Sequence, residues 1–365
     1  MINLLDPWTA DAFDYDKIVK KFGIKNFQEE LVKIKNPNRL MRRGVILGHR
    51  DFNKITNLIN KNEPFAVVTG MMPSGQMHIG HKMVVDQLIW YQENGGRLSL
   101  PIADLEAYAA RGISFEKGKE LAINEYLTNY IALGLNIDHD VNIYLQSQNQ
   151  ILQDLSFRAS MKTNFSEMKA IYGFTPSTNL AHLTAPISQV ADILMPQVEE
   201  YGGPINTVVP VGIDQDPHLR LTRDITNKLH EELGFLTPSS TYHRFITGLT
   251  GGKMSSSKPK TAIYLNEETK NAVKKLKSAK TGGRESLQEQ KELGGKPDEC
   301  VIFETLVYHL MDDDEKLKEI KEECLNGTLL CGDCKNRTCQ LLEEFLDDLH
   351  EKQIESREIA QTIFD

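Results

Sequence analysis

Short apolar runs alternate with longer amphipathic ones along the first two thirds of the chain. Phe65-Ala-Val-Val-Thr69 has the character of a buried strand and stops at Gly70, and Leu98-Ser-Leu-Pro-Ile-Ala103 follows the break at Asn94-Gly95-Gly96. Between them residues 80–93 carry helical spacing. The pattern continues with a predicted helix over 115–133 (Leu121, Tyr126, Tyr130 and Leu133 on one face), the strand-like Val141-Asn-Ile-Tyr-Leu145, and a long helical stretch over 150–172. A helix over about 180–195 then leads to Thr207-Val-Val-Pro-Val211, and Thr261-Ala-Ile-Tyr-Leu265 also reads as a strand.

Strand, helix, strand in series predicts an α/β fold, with a Rossmann-like parallel sheet covered by helices on both faces. From about residue 266 the strand-like runs fade. Residues 267–280 and 301–363 read as helices, with breaks at Gly282-Gly283, Gly294-Gly295 and Gly327. The expected organisation is an N-terminal extension (1–60) packing on a catalytic domain (61–265), followed by a helical C-terminal domain (266–365).

Charge and length narrow the classes. At 365 residues the chain can bury a substantial core, and 42 Lys+Arg against 51 Asp+Glu give −9. Residues 298–365 alone carry −12, leaving +3 for the rest, so a nucleic-acid partner would be met by a local patch rather than by bulk charge. No apolar run reaches the roughly 18 residues of a membrane span, and the start, Met-Ile-Asn-Leu-Leu-Asp-Pro-Trp8, lacks the basic and apolar regions of a signal peptide. The expected location is the cytoplasm, with no membrane partner.

The first predicted strand is followed by Gly70-Met71-Met72-Pro73-Ser74-Gly75-Gln76-Met77-His78-Ile79-Gly80-His81, which opens the first predicted helix. A strand handing over to a helix in this way gathers free backbone N–H groups and the positive helix end at one place, an anion site suited to phosphate. Gly80 would let a flat group lie against the backbone, and His78 and His81 would offer imidazole N–H donors to charge developing on phosphoryl oxygens. The alternative for the two histidines is a helix cap. Downstream, Gly251-Gly-Lys253-Met-Ser-Ser-Ser-Lys258-Pro259 places two lysines and three hydroxyls on a loop that could close over a polyphosphate; read alone, it is also an ordinary solvated loop.

Together, in this order and separation, the two stretches resemble the HIGH and KMSKS signatures of class I aminoacyl-tRNA synthetases. The resemblance implies attack of an amino acid carboxylate on the α-phosphate of ATP, carried with Mg2+, to give an adenylate, then transfer of the acyl group to tRNA. Catalysis would rest on positioning and charge stabilisation rather than on a protein nucleophile. It implies catalytic roles for His78, His81, Lys253 and Lys258, with Lys253 and Lys258 on the leaving pyrophosphate, and adenine against Gly80. The rest of the ATP site would comprise Ser74, Gly75, Gly212, Asp214, Met254, Ser255 and Ser256. Asp214 could equally be a helix N-cap.

Further stretches, Asp6-Pro-Trp8, Phe13-Asp-Tyr-Asp-Lys17, Arg42-Arg-Gly44, His49-Arg-Asp51, Asp214-Gln-Asp-Pro217, Arg220-Leu-Thr-Arg-Asp224 and Gly282-Gly-Arg284, resemble the tryptophanyl branch of archaeal and eukaryotic type. Ala103-Asp-Leu-Glu-Ala-Tyr108 also resembles the tyrosyl enzymes, which remain the alternative. The resemblance implies L-tryptophan, ATP and tRNA(Trp) as partners, a homodimer, and anticodon recognition by the helical C-terminal domain.

Indole has one N–H donor, whereas phenol both donates and accepts. Gln189 and Asp192, three apart on a predicted helix, with Gln215, would contact the substrate amino acid. Val68 stands where archaeal tyrosine enzymes carry a tyrosine that bonds the phenol, and an unpaired buried hydroxyl costs roughly 1–3 kcal/mol, favouring tryptophan. Eukaryotic tryptophan enzymes carry a tyrosine at the Val68 place and a glutamine at about Pro101; lacking both, the chain is expected to use Asp192 for the indole N–H.

The five cysteines lie at 300, 324, 331, 334 and 339. Cys324, Cys331, Cys334 and Cys339 could supply thiolates to zinc or an iron–sulfur cluster, or be plain buried thiols around a turn. Asp312-Asp-Asp-Glu315 reads as a solvated helix start. Phosphate contacts to tRNA would come from Lys270, Lys274, Lys275, Lys277, Lys280 and Arg284, or from Arg39, Arg42 and Arg43. Outside this class, the His turn also suits a nucleotidyl-transfer protein, and a non-catalytic RNA-binding protein could use the same fold.

Overall fold

The computed structural model describes residues 22–138, 140–252, 254 and 258–364. The stretches at 6–8 and 13–17, and the site candidates Lys253, Ser255 and Ser256, lie outside the described residues.

A seven-stranded sheet forms the centre: β1 (Lys25–Asn26), β2 (Ile46–Arg50), β3 (Phe65–Val68), β4 (Gly96–Ile102), β5 (Val141–Leu145), β6 (Thr207–Gly212) and β7 (Ser239–His243), in the order β1-β2-β7-β6-β3-β4-β5. From β7 to β5 all neighbours are parallel, while β2 pairs antiparallel with both β7 and β1. The strands read as continuous apolar runs because they are covered on both faces; all four residues of β3 are buried. Chain order reverses between β3 and β6, the place where ligands collect in such sheets.

The helices that bear on the site are α1 (Ile79–Glu93), α2 (Asp104–Arg111), α3 (Gln150–Ser160), α4 (Leu180–Leu194), α5 (Asp216–Leu233), α6 (Thr269–Lys277), α7 (Val301–Thr305), α8 (Asp314–Leu325) and α9 (Cys331–Thr362). The stretch predicted as one helix over 150–172 is two. Asn164 accepts from the N–H groups of Ser166 and Glu167 and starts Phe165–Tyr172 afresh.

The predicted strand at 261–265 is not part of the sheet. Its backbone straps the histidine turn, with Ile79 N–H donating to Ile263 O and Leu265 N–H to Met77 O, both at 2.9 Å. Ala262, Ile263, Tyr264 and Leu265 are apolar because they are buried there.

The hydrophobic core is shared between the sheet and the helical tail. Leu342, Leu346, Leu349 and Ala360 on α9 join the same cluster as Phe65 on β3 and Val85 and Leu88 on α1. The N-terminal segment likewise contributes sheet, through β1 and β2, and core, through Phe27, Leu40 and Phe52.

Candidate active site

A cavity of about 420 Å3 opens at the carboxyl ends of β3, β4 and β6. It brings together Val68, Ser74, His81, Gln189, Asp192, Gly212, Gln215 and Met254 of the expected site. Gly75, His78, Gly80, Asp214 and Lys258 stand outside its wall.

His78 is the N-cap of α1. Its Nδ1 accepts from Gly80 N–H at 3.1 Å, while its own N–H donates to Nδ1 of His81 at 3.0 Å. The capping role of His78 and the cavity-wall position of His81 therefore coexist on one turn. Each Nδ1 is an acceptor, so each neutral ring carries its proton on Nε2. Burial lowers the His81 pKa to about 4, and the ring is a neutral donor at physiological pH. A Cβ on Gly80 would come within 2.9 Å of the His78 ring and 3.0 Å of Ile246, so glycine is required here by the cap itself.

Part of the wall is apolar: Val68, Pro101, Ile193, Val209 and Leu219 line it, and Val68 packs with Ile193, Val209 and Leu219 in a small cluster. One corner is polar. Asp192, on α4, accepts from the Tyr144 hydroxyl (2.8 Å, Oδ1) and from Gln146 Nε2 (2.5 Å, Oδ2). Burial pushes its carboxyl up to about 7. Gln189, one turn earlier on α4, also reaches the cavity.

The turn after β6 is held by close packing. A Cβ on Gly212 would lie 2.7 Å from both Asp214 Oδ1 and the Phe245 ring. Asp214 is buried, and Gln215 beside it faces the cavity. Asp216, fully buried, takes Arg50 of β2 (2.9 and 3.1 Å) and the Tyr242 hydroxyl of β7 (2.6 Å), tying the antiparallel edge to the start of α5. It is a fold clamp that the sequence motif did not distinguish from its neighbours.

The lysine loop departs from β7 and returns to the histidine turn. Met254 is buried in the cavity wall, and Gly251 and Gly252 adopt left-handed backbone (φ 91° and 74°). Thr247 N–H donates to Glu304 on α7 at 2.9 Å, so the base of the loop is anchored to the helical tail. Lys258 is exposed.

Sequence reasoning missed several residues of the wall: Thr69, Glu106, Arg111, Tyr126, Tyr130, Gln146, His218 and His243. Glu106 lies inside the quoted 103–108 stretch, and His218 follows Pro217 in another. Nothing in the sequence marks Gln146, which is placed by β5 pairing with β4. His218 is buried, bonded through Nδ1 to the Tyr172 hydroxyl at 2.9 Å, and its pKa is lowered to about 3 by burial.

The cysteine set differs from expectation. Cys300 joins Cys324, Cys331 and Cys334 around a small apolar cavity with Ile302, Phe303, Ile320 and Leu329, while Cys339 is buried apart, near Val273 O. All five are free thiols, and burial together with the neighbouring sulfurs pushes Cys334 up to about 12. Among the described residues no group of three or more His, Cys, Asp or Glu side chains is arranged to hold a metal ion.

The acidic run at 312–315 is not simply solvated. Asp312 pairs with Arg39, and Asp314 with both Arg42 and Arg43 at 2.7 Å. These three arginines, expected as phosphate contacts, are thereby engaged by the protein's own carboxylates. Lys275 is likewise paired with Glu267, and Arg284 donates to Gly294 O, whereas Lys270, Lys274, Lys277 and Lys280 are exposed. Among the described residues no helix is long and apolar enough to cross a membrane.

This chain is similar to known proteins over nearly its full length. The family model for class I tRNA synthetases (W and Y) matches residues 60–347. A tryptophan–tRNA ligase of Methanocaldococcus jannaschii is 55% identical, with 99% of this chain and 98% of that one covered. The crystal structure of a tryptophanyl-tRNA synthetase from Aeropyrum pernix superposes with a TM-score of 0.90 at 44% identity, covering 98% of each chain. The Encephalitozoon cuniculi enzyme, solved bound to tryptophan, superposes with a TM-score of 0.81 at 26% identity, over 94% of this chain and 96% of that one.

Proposed function

The chain belongs to the class I tRNA synthetases of the tryptophan and tyrosine family, and from that premise we propose that it is a tryptophan–tRNA ligase. It activates L-tryptophan with ATP and passes the acyl group to tRNA(Trp). The observation that carries this reading is the lining of the cavity, which joins Ser74 and His81 of the histidine turn to an apolar wall around Val68 and Pro101 with a polar corner at Asp192. A flat bicyclic ring with a single N–H suits that lining. A phenol would leave its hydroxyl lone pairs facing Val68, which disfavours the tyrosine alternative.

In this reading Gln189, Gln215 and the Asp192 corner hold the amino acid, with Val68 as the apolar selector. The carboxylate then faces the α-phosphate at the start of α1. His78 and His81 present Nε2–H donors toward the phosphates, Ser74 and Gly75 line their approach, and Gly212 and Asp214 meet the ribose side. Met254 closes the wall, and Lys253 and Lys258, with Ser255 and Ser256, lie on the loop that covers the leaving pyrophosphate. The turn from Ser74 to His81 offers donors and no carboxylate, so Mg2+ fits as an ion carried by the ATP phosphates. It offsets phosphate charge, and the chain's own residues align the reactants.

We assign anticodon recognition to the helical region 266–365, with exposed Lys270, Lys274, Lys277 and Lys280 as its phosphate contacts, and place the enzyme in the cytoplasm as a homodimer. The experiment that tests the activity is amino-acid-dependent ATP–pyrophosphate exchange with tryptophan and tyrosine in parallel. Exchange with tryptophan alone is expected. Exchange with tyrosine would overturn the selection by Val68, and silence with both would overturn activation itself.

A further inference from the structure

We propose that Gln146, rather than Asp192, is the residue that accepts the indole N–H of tryptophan, and that Asp192 and Tyr144 act by holding it. The inference deepens the proposed function and rests on it.

Both oxygens of Asp192 already have donors, the Tyr144 hydroxyl on Oδ1 and Gln146 Nε2 on Oδ2. The same bond fixes the Gln146 amide. Above about pH 7, where Asp192 is ionised, an amide turned over would set its own oxygen against a carboxylate oxygen and lose a charge-assisted bond, so Nε2 stays on Asp192 and Oε1 is committed as an acceptor. Gln146 lines the cavity and is 2% exposed, and its Oε1 is buried without a hydrogen-bond partner. A buried acceptor left unpaired is a cost that a ligand donor removes.

The backbone holds this group in place. Gln146 begins the turn Gln146–Gln148 directly after β5, and the next residue is clamped to α2: Ser147 N–H donates to Asp104 Oδ1 at 3.0 Å, and the Ser147 hydroxyl donates to Oδ2. The residue that carries this acceptor thus stands on a strand end anchored from both sides and lines the cavity together with Val68, Pro101 and Ile193. Indole presents one donor and no acceptor, which is the complement of a single fixed amide oxygen.

The test compares tryptophan with β-(3-benzothienyl)-L-alanine, which keeps the ring shape and lacks the N–H, by ATP–pyrophosphate exchange in the full-length protein. Wild type is expected to prefer tryptophan by about ten- to a hundredfold in kcat/KM. Gln146→Leu and Gln146→Met are expected to bring that ratio close to one, by losing tryptophan activity while activity with the sulfur analogue changes little. Asp192→Asn, which still offers Gln146 Nε2 an oxygen, is expected to retain most of the preference. A ratio near one in wild type, or a wild-type ratio preserved in either Gln146 variant, overturns the proposal. Should a variant fold poorly, the indole proton of bound 15N-labelled tryptophan in wild type and Asp192→Asn gives the answer: a hydrogen-bonded shift lost in Asp192→Asn would return the role to Asp192. Failure of wild type to activate tryptophan at all would instead remove the underlying functional reading.

Discussion

His78 and His81 lock each other at the first turn of α1: the His78 amide donates to the His81 ring at 3.0 Å, and the two ring centroids lie 3.9 Å apart. That bond fixes the His81 tautomer, as the Gly80 N–H on Nδ1 fixes that of His78, and together they decide which nitrogens can serve a phosphate. His81→Asn keeps an acceptor for the His78 amide and loses the imidazole Nε2–H. It is expected to lower the exchange rate about 10²- to 10³-fold with stability changed by less than about 1 kcal/mol. Exchange kinetics and thermal unfolding measured together check this; equal losses in both would mean that the pair is structural only.

Acid should destabilise the fold through its buried histidines. His218 falls to about 3 and His81 to about 4 from an ordinary 6.5, in both cases because burial disfavours the charged ring. Below pH 6.5 the unfolded chain therefore binds protons that the folded chain refuses, and stability falls as pH falls. His218 alone accounts for about 2–3 kcal/mol of loss by about pH 4.5. Urea unfolding from pH 7.5 down to pH 4.5 should show this slope, and His218→Gln should flatten it.

The parallel sheet was legible from the apolar runs at 65–69, 98–103, 141–145 and 207–211, because strands covered on both faces admit few polar residues. β7 was not legible: Ser239-Ser-Thr-Tyr-His243 is wholly buried although polar, with Ser239 donating to Asp51 O and Thr241 beside the Tyr91 hydroxyl. The histidine turn could be found from local order alone, since strand, glycine and helix follow each other in sequence. Gln146, Tyr144 and Asp192 could not be grouped that way. Their meeting depends on β5 joining the sheet edge and α4 crossing it, which no local spacing encodes.

Asp192 behaves oppositely to the histidines. Its carboxyl, raised to about 7 from 3.8 by burial, keeps its proton in the fold between those values while the unfolded chain has lost it. Ionising it costs stability, a cost fully present above about pH 7 that fades as pH falls toward 3.8. Asp192→Asn does not titrate, so its stability relative to wild type should rise from pH 4 to pH 7 by up to about 3–4 kcal/mol and then level off. Paired unfolding curves across that range check the sign; a difference that is flat with pH would mean that Asp192 is ionised throughout.

Basic residues of the two ends should separate by role. Arg39 is largely buried and shared between Asp86, at 2.6 Å, and Asp312, while Lys82 holds the other side of Asp86 at 2.8 Å. Arg39→Ala should therefore cost only about 1 kcal/mol of stability, since Asp86 keeps Lys82 and Asp312 is largely exposed, and should leave the salt dependence of tRNA binding unchanged. Lys274 and Lys277 on α6 are exposed, and charge reversal there should leave unfolding unchanged while weakening tRNA binding. The slope of log affinity against log salt should fall by about one unit per lost phosphate contact. Binding titrations over roughly 50–200 mM salt distinguish the two, because the counterion term responds only to cations that actually meet phosphate. If Arg39→Ala lowers the slope and the lysine reversals do not, the RNA path runs along the N-terminal arginines instead of α6.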